Sequence, residues 1–412
     1  MHKKSIFDYK SVVDEGEIEG LINLSAPLKG KKIQHINSTK KGGGVAEILN
    51  NLVPMLNELG MENIWSDIKG DQRFFEITKK IHNSLHGADD KLNADDYAYF
   101  EKNVFAQKDT LIKGADVYVV HDPQPLPLVK FRKEFGGKWI WRCHIDLSTS
   151  TEATWKSLEK YVSMFDAAIS HCPGYAKELK IRQFIFPPTI DPLAAKNVDM
   201  SQDRIDGVRK KYGIAGDKKI IVQIGRFDRL KDPFGAIEAY RIVNKMYPSV
   251  LVLAGSYADD DPEGEEIYKE VRAAADGDSD IKVLNIPTTD ESPFEINAFQ
   301  RMADVCLQMS SREGFGLTVA EALWKGTPVV ARDSSGIALQ ILHGINGFLV
   351  KTPQGAAYRI SQIFSSRQMR EKFAEAASAY VYTHFLLPKH LKNWICCLNA
   401  ALMNKAKGVV EI

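Results

Sequence analysis

The chain alternates short, almost uninterrupted apolar runs with longer segments whose apolar residues recur at helical spacing. The apolar run at residues 32–36 leads into three glycines, and residues 45–56 then carry apolar side chains on one helical face. Strands that are buried on both faces read as continuous apolar runs, whereas a 3.6-residue period indicates a helix. This order predicts a strand, a glycine loop and a helix, which is the opening of a nucleotide-binding α/β unit.

The same alternation continues along the chain with one interruption. Further strands are predicted at residues 117–120, 138–142, 167–170, 219–225, 249–255, 283–284, 305–308 and 328–331. Residues 186–192 contain two adjacent prolines, which exclude a helix, and we interpret them as a linker. The pattern predicts an α/β protein with two doubly wound, Rossmann-like domains facing a central cleft. The predicted domains are residues 1–195, with a C-terminal helix of 384–412 packing back on them, and residues 196–383.

The composition of the 412 residues is that of a globular protein, with 44% hydrophobic and 26% charged residues. The 54 lysines and arginines almost balance the 53 aspartates and glutamates, which argues against a nucleic-acid partner. The charged N-terminus lacks the apolar core of a signal peptide, and no run approaches the length of a membrane span. The five cysteines show neither a disulfide framework nor a metal-binding spacing. We therefore expect a soluble cytoplasmic protein without nucleic-acid or membrane partners.

The first candidate site is the run Gly42-Gly43-Gly44 between the first predicted strand and helix. Glycines allow the backbone to approach a ligand closely, and the N–H groups of a helix start favour anions or sugar oxygens. The run lacks the GxGxxG spacing, so a tight turn without a ligand is an equally good interpretation.

The second candidate follows the predicted strand at 219–225, in the sequence GRFDRLKD. Arg226 and Lys231 would emerge at the carboxyl edge of the sheet, where ligands bind in doubly wound folds. A guanidinium fork and an ammonium group suit a diphosphate. A solvated basic loop explains an isolated pair of cations as well, and Arg229 fits that interpretation.

The third and strongest candidate is the sequence EGFGLTVAE, which begins with Glu313 and ends with Glu321. Glu313 would lie in the loop before a helix, and Glu321 on the second turn of that helix. The amides of Leu317 and Thr318 would point from the helix start toward a phosphate, while Glu321 would accept hydrogen bonds from two ribose hydroxyls. A capping carboxylate and a surface residue are the simpler interpretations, but the glycines and the spacing together favour a binding site.

These motifs together resemble the retaining nucleotide-sugar glycosyltransferases of the family 4 type, which have two Rossmann-like domains of the GT-B type. The residues that match the motifs of that family are the paired Glu313 and Glu321, the diphosphate-binding Arg226 and Lys231, the loop glycines Gly43 and Gly44, and His144 beside the donor sugar. Within the family, several segments resemble the trehalose-forming synthases and the related trehalose phosphorylases. These segments are HINSTKKGGGVAEILNNLVP, VHDPQPLPL, WRCHIDLS, PPTIDPL and SREGFGLTVAEALWKGTPVV.

The resemblance implies reversible transfer of glucose from ADP-, UDP- or GDP-glucose to glucose, which forms α,α-trehalose with the anomeric configuration retained. The implied catalytic residues are Arg226, Lys231, Glu313 and His144. The implied donor-binding residues are Gly43, Gly44, Arg226, Lys231, Glu313, Phe315, Gly316, Leu317, Thr318 and Glu321. Residues 1–195 would bind the acceptor, and residues 196–383 the nucleotide sugar. No cofactor is required in this interpretation, Mg²⁺ is at most an accessory ion, and a homodimer is left open.

Several other polar residues have two interpretations at the level of sequence. The candidate acceptor ligands, each of which a turn or a structural role explains as well, are Asn37, His121 and Asp122. His144 is alternatively a packed imidazole, and His35 lies inside a predicted strand and is interpreted as a core residue. The run at residues 259–261 consists of three aspartates, but a solvated loop is the better interpretation, so we expect no metal site.

Other functions remain open. A trehalose phosphorylase would use the same cations for inorganic phosphate, and a sugar other than glucose would serve equally well as acceptor. A nicotinamide-dependent oxidoreductase is disfavoured because the chain lacks the GxGxxG fingerprint. A non-catalytic sugar- or nucleotide-binding protein fits two hinged domains, but it would not need paired glutamates together with cations.

Overall fold

A computed structural model describes residues 4–40, 43–214, 216–256, 262–403 and 409–411. The chain divides into two compact units, the first formed by Met1–Thr189 with Leu387–Ile412 and the second by Ile190–Leu386. The chain leaves the first unit inside the proline-containing segment 186–192, whereas the sequence placed the boundary at 195/196. It returns at 386/387, where the sequence placed the boundary at 383/384.

The described residues contain thirteen strands, fifteen α-helices and six short 3₁₀ helices. The strands are β1 (Lys32–Asn37), β2 (Glu62–Asp67), β3 (Val117–His121), β4 (Lys138–Arg142), β5 (Ala167–Ser170), β6 (Arg182–Ile185), β7 (Lys219–Ile224), β8 (Ser249–Gly255), β9 (Ile281–Asn285), β10 (Val305–Gln308), β11 (Val329–Arg332), β12 (Gly347–Val350) and β13 (Val409–Glu411). The α-helices are α1 (Glu15–Ser25), α2 (Gly43–Glu58), α3 (Gln72–Leu85), α4 (Ala94–Phe105), α5 (Arg132–Phe135), α6 (Glu152–Val162), α7 (Gln202–Lys211), α8 (Pro233–Asn244), α9 (Pro262–Ala275), α10 (Ser292–Met302), α11 (Leu317–Trp324), α12 (Ser335–Ala338), α13 (Pro353–Ser365), α14 (Arg367–His384) and α15 (Leu387–Leu402). The 3₁₀ helices are Ile6–Ser11, Ala26–Leu28, Lys108–Thr110, Leu126–Phe131, Pro173–Tyr175 and Arg229–Lys231.

The first unit is built on a parallel seven-stranded sheet in the order β13-β6-β5-β4-β3-β1-β2. Its central strands β3, β4 and β5 are buried because helices cover them, and a core that includes Phe74, Phe100 and Trp139 packs between these layers. The strand order reverses at β1, which lies between β2 and β3. Ligands of doubly wound sheets bind at such a switch point, beyond the carboxyl ends of the strands.

The second unit is built on a parallel six-stranded sheet in the order β12-β11-β10-β7-β8-β9. Its first strand, β7, lies between β8 and β10, so the switch point of this sheet is at the carboxyl ends of β7 and β10. Helices α8 and α13 pack on each other and on strands of this sheet. Both units are therefore doubly wound α/β structures, and the predicted fold class is confirmed.

The C-terminal helix α15 belongs to the first unit, where it packs against α1 and α2. Its buried Trp394 contacts the rings of two histidines in the first sheet, with centroid distances of 5.6 Å to His35 and 6.4 Å to His121. Trp394 Nε1 also donates to Nε2 of His390 on the same helix at 2.9 Å. The last helix of the chain is thus in contact with the polar residues of β1 and β3.

Candidate functional site

The loop after β7 carries the two predicted cations. Arg226 is exposed, whereas the side chain of Lys231 lies across Gly225, where an added Cβ would be 3.6 Å from Lys231 Cγ. Gln223, which is buried in β7, holds this loop because its Nε2 donates to the Lys231 carbonyl at 3.0 Å. Its Oε1 accepts from the Met309 amide at 3.0 Å. One side chain therefore ties the loop after β7 to the loop after β10.

Lys231 and Glu313 form an ion pair between these two loops. Ser310 Oγ donates to the same carboxylate at 3.3 Å, and the Ser311 amide donates to the Leu230 carbonyl at 2.8 Å. Strands β7 and β10 are neighbours at the switch point of the second sheet, which is why their loops meet. The fold thus brings together one cation and one carboxylate from two motifs that are far apart in the sequence.

Helix α11 begins without a side-chain cap, as an anion-binding helix start requires. The preceding Gly316 has a φ of 83°, which a glycine adopts at little cost. The first-turn amides of Leu317 and Thr318 carry the partial positive charge of a helix N-terminus. Glu313 lies beside this start, since a Cβ added to Gly316 would be 3.1 Å from Glu313 Cγ.

The turn before α11 is held in place by buried contacts. Phe315 packs edge-to-face on Phe385 with ring centroids 5.4 Å apart, and Gln340 Nε2 donates to the Phe315 carbonyl. Gly336 lies against the backbone of the same turn, where an added Cβ would be 2.6 Å from the Glu313 carbonyl oxygen. Phe315 therefore anchors the turn through its side chain.

Glu321, on the second turn of α11, has a completely buried side chain. Within the part of the chain that the structure describes, neither of its carboxylate oxygens accepts a hydrogen bond. The Lys196 ammonium lies 3.5 Å from Oε1, beyond an ordinary hydrogen bond. A buried acceptor without a hydrogen bond is costly, and in native proteins it commonly marks a functional role.

Lys325, one helical turn further along, is hydrogen-bonded to the backbone of Glu321. Its Nζ donates to the Glu321 carbonyl at 3.1 Å, to Gln300 Oε1 at 2.9 Å and to Asn197 Oδ1 at 3.0 Å. Burial lowers the pKa of Lys325 to about 7, and the nearby Glu321 carboxylate opposes this shift. The carboxylate therefore lies in a polar, water-poor environment with two lysines close by.

In the first unit, Asn37 and two of the predicted loop glycines lie at or after the carboxyl end of β1. Gly43 and Gly44 form the first turn of α2, while Gly42 lies outside the described residues. Asn37 ends β1, is buried, and donates from Nδ2 to the Thr39 carbonyl at 3.0 Å. Its side chain therefore shapes the loop that leads to the glycines.

Asp122 follows β3 in a left-handed conformation, with a φ of 62°. Its Oδ1 accepts a hydrogen bond from the His144 amide at 2.7 Å, and its carbonyl accepts from Trp141 Nε1 at 3.1 Å. Burial raises the pKa of the Asp122 carboxyl to about 7, although the His144 amide favours the charged form. The carboxyl group thus fixes the backbone after β4.

Four histidines at the carboxyl ends of neighbouring strands form a continuous chain of imidazoles. His35 Nδ1 lies 3.1 Å from His121 Nε2, and His121 Nδ1 lies 3.1 Å from His144 Nε2. His144 Nδ1 lies 3.4 Å from His171 Nε2. At the other end, His35 Nε2 lies 3.3 Å from Asn63 Oδ1. We call these four histidines the imidazole chain. The predicted residues His121 and His144 are thus linked to two histidines that the sequence did not single out as ligands.

Burial lowers the pKa values of three members of the imidazole chain, namely His35, His121 and His144. Burial lowers the pKa of His35 to about 4 and holds the pKa values of His121 and His144 well below the ordinary value. The buried guanidinium of Arg142, which donates to the Phe186 carbonyl at 3.1 Å, lowers the pKa values of His121 and His144 further. A cation in a dry environment repels any imidazolium that forms next to it.

We expect the free energy of unfolding to fall as the pH is lowered from 7.5 to 5.5. Buried histidines such as His390, whose pKa burial lowers to about 3, stay neutral in the folded protein but take up protons in the unfolded chain below about pH 6.5. Each contributes a loss of about 1.4 kcal/mol at pH 5.5. Urea unfolding of a His390→Gln variant should therefore show about 1.4 kcal/mol less pH dependence than the parent. Identical pH dependence in the two proteins would contradict this expectation.

We expect Gly255→Ala to disrupt the loop that carries Arg226. A Cβ at Gly255, the last residue of β8, would lie 1.7 Å from the Gly225 carbonyl oxygen, so the two backbones must separate. Such overpacking costs about 3 kcal/mol. The matched control is Gly207→Ala in α7, where no atom lies within 4 Å of the added Cβ. Thermal unfolding should show a large loss for the first variant only, and equal stabilities would contradict the prediction.

The aspartates at 259–261 lie outside the described residues. Among the residues that the structure does describe, no group of three or more His, Cys, Asp or Glu side chains is arranged to hold a metal ion. None of the helices in those ranges combines the length and apolar character that a membrane span requires.

The structure adds residues that the sequence did not single out as part of a site. They are His35, Asn63 and His171 in the first unit and Lys196 and Lys325 in the second. A signal for the histidines was available, because each lies at or next to the end of an apolar run. Lys325 lies four positions after Glu321, the spacing of helical neighbours, which was the available signal for this residue.

Two family models match the chain. The model described as "Trehalose synthase, N-terminal domain" matches residues 35–177, and the model described as "Glycosyl transferases group 1" matches residues 205–380. The trehalose synthase of Pyrococcus horikoshii is 39% identical over 403 residues, which are 97% of this chain and 97% of the relative. The trehalose phosphorylase of Pleurotus pulmonarius is 27% identical over 442 residues, covering 91% of this chain and 58% of the relative.

Solved structures share the fold at much lower identity. A UDP-forming α,α-trehalose-phosphate synthase from Burkholderia xenovorans superposes with a TM-score of 0.70 and 16% identity, covering 92% of this chain and 100% of that one. The fold is thus that of the GT-B glycosyltransferases, and the predicted resemblance is confirmed by the family model and by the full-length relative. The chain belongs to the trehalose synthase family and is a glycosyltransferase.

Proposed function

We propose that this protein transfers glucose from a nucleoside diphosphate glucose to free glucose and forms α,α-trehalose with the anomeric configuration retained. The trehalose synthases at up to 39% identity over almost the full length support the substrate class. The candidate site of the second unit supports the use of a nucleotide donor. ADP-, UDP- and GDP-glucose are all candidate donors.

The observation that carries this proposal is the buried Glu321 carboxylate. Its two oxygens accept no hydrogen bond from the described residues, and they lie one helical turn beyond the uncapped start of α11. A ribose offers two adjacent hydroxyl donors to such a carboxylate, and charge-assisted hydrogen bonds of this kind are strong. The diphosphate of the same ligand would then lie near the amides of Leu317 and Thr318.

The cations of the second unit would stabilise the leaving diphosphate. Negative charge accumulates on the β-phosphate as the bond to the sugar breaks, so fixed cations lower the barrier. Arg226 is exposed and available at the switch point, and Lys231 is held over Gly225. In the structure Lys231 is paired with Glu313. On donor binding, Lys231 would exchange this partner for the diphosphate, and Glu313 would accept hydrogen bonds from sugar hydroxyls.

The first unit would contribute the groups for the sugars. We assign Gly43 and Gly44 to the donor, because backbone N–H groups at the start of α2 suit sugar and phosphate oxygens. His144 is assigned to the donor sugar. Asn37, which ends β1, and Asp122, which directly follows β3, are assigned to the acceptor, because both lie at the switch point of the first sheet. His121, the third acceptor candidate, is buried with both ring nitrogens in contact with other histidines, so we assign it no sugar contact.

In the chemical step, the acceptor hydroxyl would attack the anomeric carbon on the same face from which the nucleoside diphosphate departs. The bond between the anomeric carbon and the phosphate oxygen breaks, and the anomeric hydroxyl oxygen of the acceptor glucose forms the new bond. The proton of that hydroxyl passes to the departing phosphate oxygen, so no protein nucleophile is needed. We propose that no metal cofactor is required, because protein cations and helix amides neutralise the diphosphate, and Mg²⁺ is at most accessory. Activity should persist in excess chelator.

The test is direct. The protein is incubated with glucose and, separately, with ADP-, UDP- and GDP-glucose, and the disaccharide is identified by NMR, including its linkage and anomeric configuration. The expected product is α,α-trehalose with one equivalent of nucleoside diphosphate. A product with another linkage, or no transfer from any of the three donors, would contradict the proposal.

Trehalose phosphorolysis is the second candidate, because trehalose phosphorylases are also relatives. The same cations would bind inorganic phosphate, but phosphate has no ribose to engage the Glu321 carboxylate, so the nucleotide reaction fits this residue better. Breakdown of trehalose in the presence of either nucleoside diphosphate or inorganic phosphate separates the two functions. Glucose 1-phosphate formed from phosphate alone would favour the phosphorylase.

A further inference from the structure

The imidazole chain has a defined direction of hydrogen bonding. A neutral imidazole has one N–H donor and one acceptor nitrogen, so each contact requires one of each. Asn63 Oδ1 is an acceptor, and the His35 nitrogen that faces it must therefore carry the proton. His35 Nδ1 is then an acceptor and requires the proton on His121 Nε2. The same reasoning places a proton on Nε2 of His144 and leaves its Nδ1 as an acceptor.

The surroundings of the imidazole chain preserve this neutral arrangement. Around His121 and His144 the charged and titratable groups include the Arg142 guanidinium, the imidazole of His390 and the carboxyl group of Asp122. The ring of Tyr175 contacts His171. Arg142 disfavours any imidazolium, and His390 is neutral because burial lowers its pKa to about 3. The Asp122 carboxyl accepts from the backbone amide of His144 and not from its ring.

His144 is the member of the imidazole chain that is partly exposed to solvent. His35, His121 and His171 are buried, whereas His144 is partly exposed. Its Nδ1 contact with His171 measures 3.4 Å, which is longer than the other contacts of the chain and longer than a good hydrogen bond. This contact is the one that a ligand hydroxyl can replace at least cost, because its hydrogen bond is the weakest.

We propose that Asn63, His35, His121 and His171 are positioning residues, which hold the His144 imidazole as the neutral Nε2–H form and present its Nδ1 lone pair to a hydroxyl of the donor sugar. The sugar-binding part rests on the proposed function. The hydroxyl donates to Nδ1 in place of His171. Partners of this kind fix the tautomer and the orientation of a functional histidine, as partner groups do for metal-bound histidines.

The tautomer of His144 is measured directly in the full-length protein by ¹⁵N NMR after labelling of its histidines. This method distinguishes protonated from unprotonated ring nitrogens. Single His→Gln variants assign the signals. The expected result at pH 7 is a protonated Nε2 and an unprotonated Nδ1 for His144. The ¹⁵N chemical shift of Nδ1 should change when the nucleotide-glucose donor is added, but not when the nucleoside diphosphate alone is added. A protonated Nδ1 in the free protein would overturn the proposal, whatever reaction the protein catalyses.

Asn63, at the end of the imidazole chain away from His144, provides matched variants that do not touch the ligand. Asn63→Asp keeps an acceptor oxygen facing His35, whereas Asn63→Leu removes it. Neither variant breaks a hydrogen bond of Asn63 Nδ2, because this atom has no hydrogen-bond partner in the described structure. Asn63→Leu should lower kcat for glucosyl transfer by about 10- to 100-fold, as loss of a tautomer-fixing partner does elsewhere. Asn63→Asp should retain kcat within about threefold, because it leaves the direction of the hydrogen bonds in the imidazole chain unchanged.

A second variant, His121→Phe, tests whether a loss of activity in Asn63→Leu merely reflects misfolding. His121→Phe keeps an aromatic ring and removes both nitrogens, and it should lower kcat while leaving the Kd for nucleoside diphosphate unchanged. Parent-like kcat in both Asn63→Leu and His121→Phe would overturn the positioning role. If the expected tautomer is found but no nucleotide-glucose is a substrate, the proposed function fails while the tautomer assignment stands.

Discussion

Arg226→Ala is expected to lower kcat for glucosyl transfer by about 30- to 900-fold, which corresponds to a loss of about 2–4 kcal/mol of transition-state stabilisation. The reason is the charge that develops on the leaving diphosphate. Arg226 is exposed at the switch point of the second sheet, and in the proposed complex its guanidinium fork would bind the diphosphate through two oxygens. The interaction strengthens as the sugar–phosphate bond breaks, so kcat should fall more than the donor KM rises.

The same loop contains a matched control for this variant. Arg229 lies three positions further on, is exposed, and pairs with the partly exposed Glu270 at 3.2 Å. Arg229→Ala removes the same charge from the same loop but leaves the diphosphate contact intact. Steady-state kinetics with the preferred donor should show parent-like kcat for Arg229→Ala. Equal effects of the two variants would mean that net charge, and not a placed guanidinium, supports the reaction.

Glu321→Gln is expected to raise the Kd for the nucleoside diphosphate by about 10- to 150-fold, because hydrogen bonds to a charged group contribute about 1.5–3 kcal/mol each. A glutamine keeps the shape of the buried side chain but has one acceptor oxygen and no charge. In the proposed complex both carboxylate oxygens accept ribose hydroxyls. Binding of the preferred nucleoside diphosphate, measured by calorimetry, should therefore weaken strongly in this variant.

A modified ligand tests whether the ribose is the partner. The 2′,3′-dideoxy form of the nucleoside diphosphate should bind weakly to the parent, and the Glu321→Gln variant should bind the two ligands with similar affinity. Glu375→Gln, at an exposed position on α14 of the same unit, serves as the control and should leave both affinities unchanged. If Glu321→Gln weakens the normal and the dideoxy ligand equally, the carboxylate does not contact the ribose.

The sequence alone predicted the central strands of both sheets. Strands β4, β5, β8 and β10 lie at the predicted positions, because strands that are covered on both faces need apolar side chains at almost every position. Four strands were not predicted, namely β2, β6, β12 and β13. Three of these, β2, β12 and β13, lie at sheet edges. Polar residues interrupt the apolar run of β2, whereas β12 and β13 have only four and three residues.

The candidate donor site was also predictable in part, because its residues occur in two short continuous motifs. Arg226 and Lys231 lie in one loop, and the residues from Glu313 to Glu321 lie in one turn and one helix. Local sequence thus determined which residues belong to each motif. The pairing of Lys231 with Glu313 depends on β7 and β10 being neighbours, which follows from the winding of the sheet.

The imidazole chain was decided by the tertiary structure. His35 and His121 lie in β1 and β3, and His144 and His171 follow β4 and β5. The sheet order β5-β4-β3-β1 places those strands side by side, about 5 Å apart. Only at this spacing do imidazoles at the strand ends come within hydrogen-bonding distance. The sequence by itself determined where apolar strands, glycine turns and charged motifs occur, because those depend on neighbours along the chain. The hydrogen bonds between distant histidines and the burial that keeps them neutral depend on neighbours in space, which only the folded sheet provides.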